Sequence, residues 1–336
     1  MCIPGGTRLY LDLKKGDLMT VAASLTSQYL YPKGSPQRRQ FALYYFSTLI
    51  TLWTIAGHTI LGWEQSWATP IIGLTMAFAV TIILETTRAW TLEQRPLYFL
   101  GYENLASLLL PALIPGLAVA MLLYPNERLT PIAFAAAMAI ASKVLIRAPF
   151  KGKTQHIFNP SNFGITITLL LFPSVGLAPP YHLTENITGI MHWALPGAIL
   201  ASGILVHALY TGRLPLCIAW LLGFVTQGFV RHLLFGVPWI VPLMPMTGTA
   251  FILFTLYMIP DPATTPLEWK KQVAFGISVA AVYGVLISLH VVFGLFLALV
   301  IVCGLRAIAM WIISLSESEQ ALHQQGSLFE AQAPSA

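Results

Sequence analysis

The sequence predicts an all-α integral membrane protein of about ten transmembrane helices, arranged as two five-helix inverted repeats with the third and eighth helices broken. Three observations carry this. Of the 336 residues, 56% are hydrophobic and only 9% charged, against roughly 25% charged in soluble domains. The apolar residues fall in ten runs of a length that suits a hydrocarbon core about 30 Å thick, which takes about 20 residues of helix. Two of those runs, the third and the eighth, carry matching pairs of prolines.

The runs lie at 41–63, 69–90, 104–124, 131–148, 161–178, 192–212, 214–236, 238–259, 271–288 and 290–314. Residues 1–40 read as a cytoplasmic N-terminal segment, 41–314 as the transmembrane domain and 315–336 as a flexible cytoplasmic tail, small, polar and without aliphatic periodicity. With the first run starting in the cytoplasm, Arg8, Lys14, Lys15, Lys33, Arg38, Arg39, Arg88, Arg95, Lys143, Arg147, Lys151, Lys153, Arg213, Lys270, Lys271 and Arg306 fall inside. Of the eighteen Lys and Arg, only Arg128 and Arg231 fall outside. Basic residues are retained on the cytoplasmic side during insertion, so both termini are expected there. The same distribution makes the net charge of +5 a topology signal and argues against nucleic acid as a partner.

Cys2, Cys217 and Cys303 are far apart and suggest neither a disulfide framework nor a zinc site. The basic N-terminal forty residues lack the apolar stretch of a signal peptide. There is no P-loop, GxGxxG or CxxCH. His58, His207 and His290 lie in runs, but no two share a helix at a spacing that would stack two haems.

In the third run, Leu-Pro-Ala-Leu-Ile-Pro-Gly-Leu spans Leu110 to Leu117; in the eighth, Val-Pro-Leu-Met-Pro-Met-Thr-Gly spans Val241 to Gly248. Proline removes a backbone donor and clashes with the preceding turn, so both helices are expected to kink or break. Freed carbonyls in a bilayer need partners and commonly face a ligand or a water-lined cavity.

The candidate site residues come from three segments. Lys143 is an ionisable group inside a run, where charge is expensive; it can also snorkel to the nearby interface. His156, Asn159 and Asn162 sit in the connection before the fifth run. There Asn159 followed by Pro160 suits a helix start, and the polar cluster beside basic residues favours an anionic or strongly hydrogen-bonding ligand. Thr247, Gly248 and Thr249 place two hydroxyls and a glycine near mid-bilayer, where helix packing is the competing role. Asp261, between Pro260 and Pro262, makes a rigid turn whose simplest role is to bond its own backbone.

The segment Ala141–Val144, the run from His156 to Pro160, Phe172-Pro173, Thr247–Ala250, Asp261-Pro262 and Thr265-Pro266 together resemble the NqrB/RnfD family. Its members are membrane components of Rnf electron-transport complexes and of the sodium-translocating NADH:quinone reductase. The likeness covers about residues 40–314, with its specific part in 141–173 and 245–266. It implies a fold related to urea channels, in a bacterial inner membrane, that passes electrons within a complex and has no NADH site of its own. In that family a flavin mononucleotide is esterified to a threonine in an outward loop after the fifth span. Here that loop reads Glu-Asn-Ile-Thr-Gly-Ile-Met from Glu185 to Met191, and Met191 stands where the acceptor threonine belongs. A thioether forms no phosphoester, so covalent FMN is not expected, and Thr188 only begins the pattern.

Two functions from different classes stand side by side. One is an electron-transfer subunit holding non-covalent riboflavin or FMN, or a quinone, with the lipid bilayer and other membrane or redox subunits as partners. The other keeps the scaffold as a small-solute channel or carrier; a non-catalytic accessory subunit is a third reading.

Overall fold

A computed structural model describes residues 36–126, 128–150, 153–178 and 186–332. Arg8, Lys14, Lys15, Lys33, Lys151, Cys2 and the 179–185 part of the outward loop lie outside the described residues.

Ten helices account for most of the described chain: α1 (Pro36–Thr59), α2 (Ala68–Thr91), α3 (Tyr102–Leu122), α4 (Thr130–Leu145), α5 (Pro160–Leu171), α6 (Met191–Val206), α7 (Leu214–Phe235), α8 (Thr249–Leu253), α9 (Trp269–Ser288) and α10 (Gly294–Gln332). Each coincides with one of the ten apolar runs. Among them, α2, α3, α6 with its extension to Thr211, α7, α9 and α10 are long and apolar enough to cross a membrane. A seventh crossing results if α8 is joined to the 3-10 helix Val241–Thr247 before it. The first helix, in which Thr, Ser and Gln dilute the apolar residues, does not join them. Exposed Trp67, Trp90, Tyr102, Trp193, Trp239 and Trp269 sit at or beside helix ends, as aromatic residues do at a bilayer interface.

The structure shortens two expected spans. The fourth run is helical only to Leu145, after which Arg147–Phe150 (β1) pairs antiparallel with Lys153–His156 (β2). The fifth run is helical only to Leu171: Phe172, held before Pro173, takes an extended backbone (φ −119°, ψ 88°), as the residue before a proline does. At 16 and 12 residues, α4 and α5 are shorter than the bilayer core requires. At the C-terminal end, α10 continues as helix to Gln332, into the 315–336 segment read as a flexible tail.

The proline-bearing helices behave differently from each other. The third is not broken: it runs without interruption from Tyr102 to Leu122 with Pro111 and Pro115 inside. Its continuity is supported by close packing on α2, where a Cβ on Gly73 would stand 2.6 Å from the Gly116 carbonyl oxygen. Only small residues allow such an approach. The eighth is broken, as expected. The 3-10 helix Val241–Thr247 meets the helical stretch Thr249–Met258 at 77°, with Gly248 extended (φ −89°, ψ 138°) at the corner.

Packing is similar in the two halves of the chain. α1 packs on α3, α2 on α3 and α4, and α4 on α5; α6 packs on α8, α7 on the 3-10 helix and α9, and α9 on α10. Between the halves, α1 meets the end of α6 and α5 meets α10. Aromatic rings fill the second half: Phe224 on α7 lies 4.8 Å from Phe251 on α8 and 5.1 Å from Tyr283 on α9, centroid to centroid.

Candidate functional site

A cavity of about 950 Å³ lies between the halves, at the upper end of the range for small-molecule sites. One wall is a stripe on α1, Ala42, Phe46, Leu49 and Trp53, at helical spacing; a second is Pro111, Pro115, Ala118 and Leu122 on α3. At about 1.5 Å per residue these stripes are roughly 16 Å long. The other walls come from the end of α6, the end of α8 and the turn into α9. Most of the lining is apolar. Its polar groups include Lys143, His156, Asn159, Arg213, Asp261 and Gln272.

The cavity walls contain carbonyls without helical donors, and side chains from other helices cover them. Pro115 has no N–H for the Pro111 carbonyl, which accepts instead from Lys143 Nζ at 3.2 Å. The carbonyls of Leu256 and Met258, in the last turn of the helical stretch, have no helical donor either. His207 Nε2 lies 2.6 Å from the first, and Asn159 Nδ2 donates to the second at 3.2 Å. Around these residues the extensions of α6 (His207–Thr211) and α8 (Phe254–Met258) each widen by one residue per turn. The Gly212 amide bonds the His207 carbonyl at 2.8 Å, and the Ile259 amide bonds that of Phe254 at 3.0 Å. Such π-turns often accompany functional sites. His207 Nδ1 is 2.6 Å from Thr211 Oγ1, so both ring nitrogens are occupied within the protein.

The turn after α8 is held from two directions. Arg213, buried between α6 and α7, donates from Nε to Thr265 Oγ1 at 2.9 Å and from Nη2 to the carbonyls of Pro262 and Thr265 at 3.2 and 3.3 Å. Arg306 on α10 donates to the Thr264 carbonyl. Asp261 Oδ1 accepts from the Ala263 amide at 3.0 Å, which is the turn-forming role expected of it. Its charge also reaches across the cavity. The His156 imidazole, outside the spans, has its pKa lowered by burial; Asp261 opposes that shift, while Lys143 and Arg147 add to it.

Four of the eight sequence-predicted site residues, Lys143, His156, Asn159 and Asp261, therefore line one cavity. Asn162 does not: its Nδ2 donates to the Phe296 carbonyl on α10 at 3.0 Å. Its amide is capped by Asn159 Oδ1 at 3.0 Å, so the helix-start reading of Asn159-Pro160 holds. Thr247, Gly248 and Thr249 lie at the bend instead; Thr247 is exposed and bonds the Met244 carbonyl at 2.7 Å, while Thr249 is buried. Sequence reasoning misses Arg213, His207 and Gln272 as site residues. A signal for His207 is present, since Pro260 announces a helix end with orphaned carbonyls; nothing local marks Arg213, whose partners are about fifty residues away, and Gln272 bonds both Leu267 nearby and Gly212 sixty residues away. Met191, at the flavin-acceptor position, is the exposed first residue of α6.

Among the described residues, no group of three His, Cys, Asp or Glu is arranged to hold a metal ion. Compared with known proteins, the chain matches no family model and no curated protein.

Proposed function

We propose that this chain is a membrane electron-transfer subunit of the type its motifs resemble, holding a redox-active ring ligand, a non-covalent flavin or a quinone, in the cavity between its halves. The observation that carries the reading is the cavity's composition. Apolar stripes on α1 and α3 suit the body of a ring, and Lys143, His156, Asn159, Arg213 and Asp261 supply a polar part. A cation beside a ring carbonyl stabilises the reduced anion, which is how a protein raises the potential of such a ligand. The chain's own contribution is to exclude water, orient the ring and balance charge.

The finer architecture belongs to the same proposal: ten membrane-embedded helices in two inverted five-helix repeats, both termini cytoplasmic, in a bacterial inner membrane. The repeated packing order supports it, as do the contacts of α1 with α6 and of α5 with α10, which join equivalent elements. Midplane sites at a repeat interface, walled by interrupted helices, are a recurring transporter arrangement. Other redox subunits in the membrane are the expected partners.

The test is the absorption spectrum of the purified protein and the composition of its acid and organic extracts. A flavin or quinone near one per chain supports the proposal. Protein without either that conducts a small solute in liposomes would replace it with the channel reading.

A further inference from the structure

The cavity is amphipathic along its length. Trp53, Met121 and Leu122 line one end with apolar surface, while Lys143, His156 and Asp261 stand at the other, where α4 finishes and α5 begins. Lys143 touches Pro111, roughly 16 Å along α3 from Leu122. Among the described residues, Lys143 is the one member of α4 that lines the cavity, and His156 the one member of the β-hairpin. The two backbones thus stand back, and the ends of these side chains are what reach in. Lys143 is in no ion pair among the described residues, and its bond to the Pro111 carbonyl uses one of the three ammonium hydrogens. Neither ring nitrogen of His156 has a hydrogen-bond partner among the described residues, and neither is among the unpartnered atoms sealed inside the protein. Of the two carboxylates on the cavity, Glu268 pairs with Lys271 at 3.0 Å. That leaves Asp261, whose charge is felt by both Lys143 and His156.

We infer that this end of the cavity is an anion subsite, in which Lys143 and His156 hold a phosphate carried by the ligand, so that the site takes a phosphorylated flavin in preference to a neutral flavin or a quinone. The inference rests on the proposal that the cavity holds a redox ring and concerns what that ring carries. A phosphate monoester brings three strong acceptor oxygens and about 1.5–2 negative charges at neutral pH. These match an ammonium with hydrogens left to give and an imidazole with both nitrogens unused. A neutral ligand leaves the Lys143 charge without a counter-ion in a mostly apolar wall, where charge is costly. Asp261 repels the anion, but it also favours the protonated form of His156, as a phosphate does. The imidazole therefore gains its proton as the anion arrives, and the ring is left to lie along the apolar stripes of α1 and α3.

The probes are riboflavin and FMN, which differ in the one phosphate. They are titrated by flavin fluorescence into the ligand-stripped full-length protein in nanodiscs of phosphatidylcholine. FMN is expected to bind at least about tenfold more tightly to the wild type. Lys143→Gln, which keeps a donor for the Pro111 carbonyl, and His156→Leu are each expected to narrow that ratio by weakening FMN while riboflavin binds as before, which a general loss of structure would not do. Equal affinity of the two flavins for the wild type overturns the inference and leaves the ring proposal standing, as does an undiminished ratio in both variants. Two further arms separate other sources of the same group. Loss of the FMN advantage on adding phosphatidylglycerol to the nanodiscs gives the subsite to a lipid headgroup, and its loss to inorganic phosphate at the flavin's own concentration gives it to the free ion; either overturns the assignment to the flavin. A decyl-substituted quinone that binds where neither flavin does also overturns it, and binding of none of the three sinks the ring proposal itself. The wild-type comparison needs no variant, so a variant that fails to fold does not spoil the test.

Discussion

Replacing Asn159 by alanine removes two kinds of support that can be separated. Asn159 Oδ1 accepts from the Asn162 amide at 3.0 Å, capping α5, while Nδ2 donates to the Met258 carbonyl at 3.2 Å and ties α5 to the end of α8. Loss of an N-cap costs about 1 kcal/mol. The Met258 carbonyl has no helical donor because the helical stretch ends there. Leaving it unpaired costs between about 0.6 kcal/mol, a typical interhelical bond in a membrane protein, and about 2 kcal/mol for a buried acceptor. Asn159→Ala is therefore expected to lose roughly 1.5–3 kcal/mol. Asn159→Ser keeps an oxygen for the cap and loses only the interhelical bond, so it should be about 1 kcal/mol more stable than the alanine variant. The assay is unfolding of ligand-free protein in mixed micelles by added dodecyl sulfate, followed by tryptophan fluorescence. Serine and alanine variants of equal stability would refute the capping part. An alanine variant within about 0.5 kcal/mol of wild type would refute both parts.

Lys143→Met should destabilise by about 1–2 kcal/mol by uncovering the Pro111 carbonyl. The loss should shrink in a Pro115→Ala background, which restores the helical donor, and additive costs in the same unfolding titration would show that the pairing is incidental. A Cβ on Gly164 would stand 2.3 Å from the Ala135 carbonyl oxygen. Gly164→Ala should thus cost about 1–3 kcal/mol by separating α4 from α5, against the usual gain of alanine in a helix; a variant as stable as wild type would contradict the packing. Because the His156 pKa is lowered in the fold, the unfolded chain binds the extra proton first as pH falls. Stability should decline as pH drops below about 6.5. His156→Gln should flatten that part of the profile, and identical profiles would show that another group is responsible.

Hydropathy locates all ten helices because lipid demands long apolar runs whatever the neighbours are. Helix ends are less legible. Pro149 and Pro173 mark the truncation of α4 and α5, yet their apolar flanks conceal a signal that φ/ψ restriction before proline makes physically plain. The site is half legible. Lys143, His156, Asn159 and Asp261 stand out as polar residues in an apolar chain, and the structure gathers them. Thr247 and Thr249 stand out equally, but their segment forms a bend, a use that composition does not distinguish from ligand binding. Arg213 and Gln272 are opaque because their roles depend on which turn the fold brings against them. The guanidinium of Arg213 reads simply as a loop cation until residues 262–265 are seen around it.

The 77° corner at Gly248 has no counterpart in α3. A straight helix shifts as a rod, moving every side chain along it together, whereas a chain with an extended residue between two helical pieces pivots. On one side the cavity therefore rests on a post, and on the other on a jointed arm whose far end carries Leu256, Met258 and Asp261. The far end of that arm is tied down by His207, Asn159 and Arg213, so the two halves, alike in packing order, wall the cavity by different means: one with a continuous rod, the other with a bent chain cross-braced at its end.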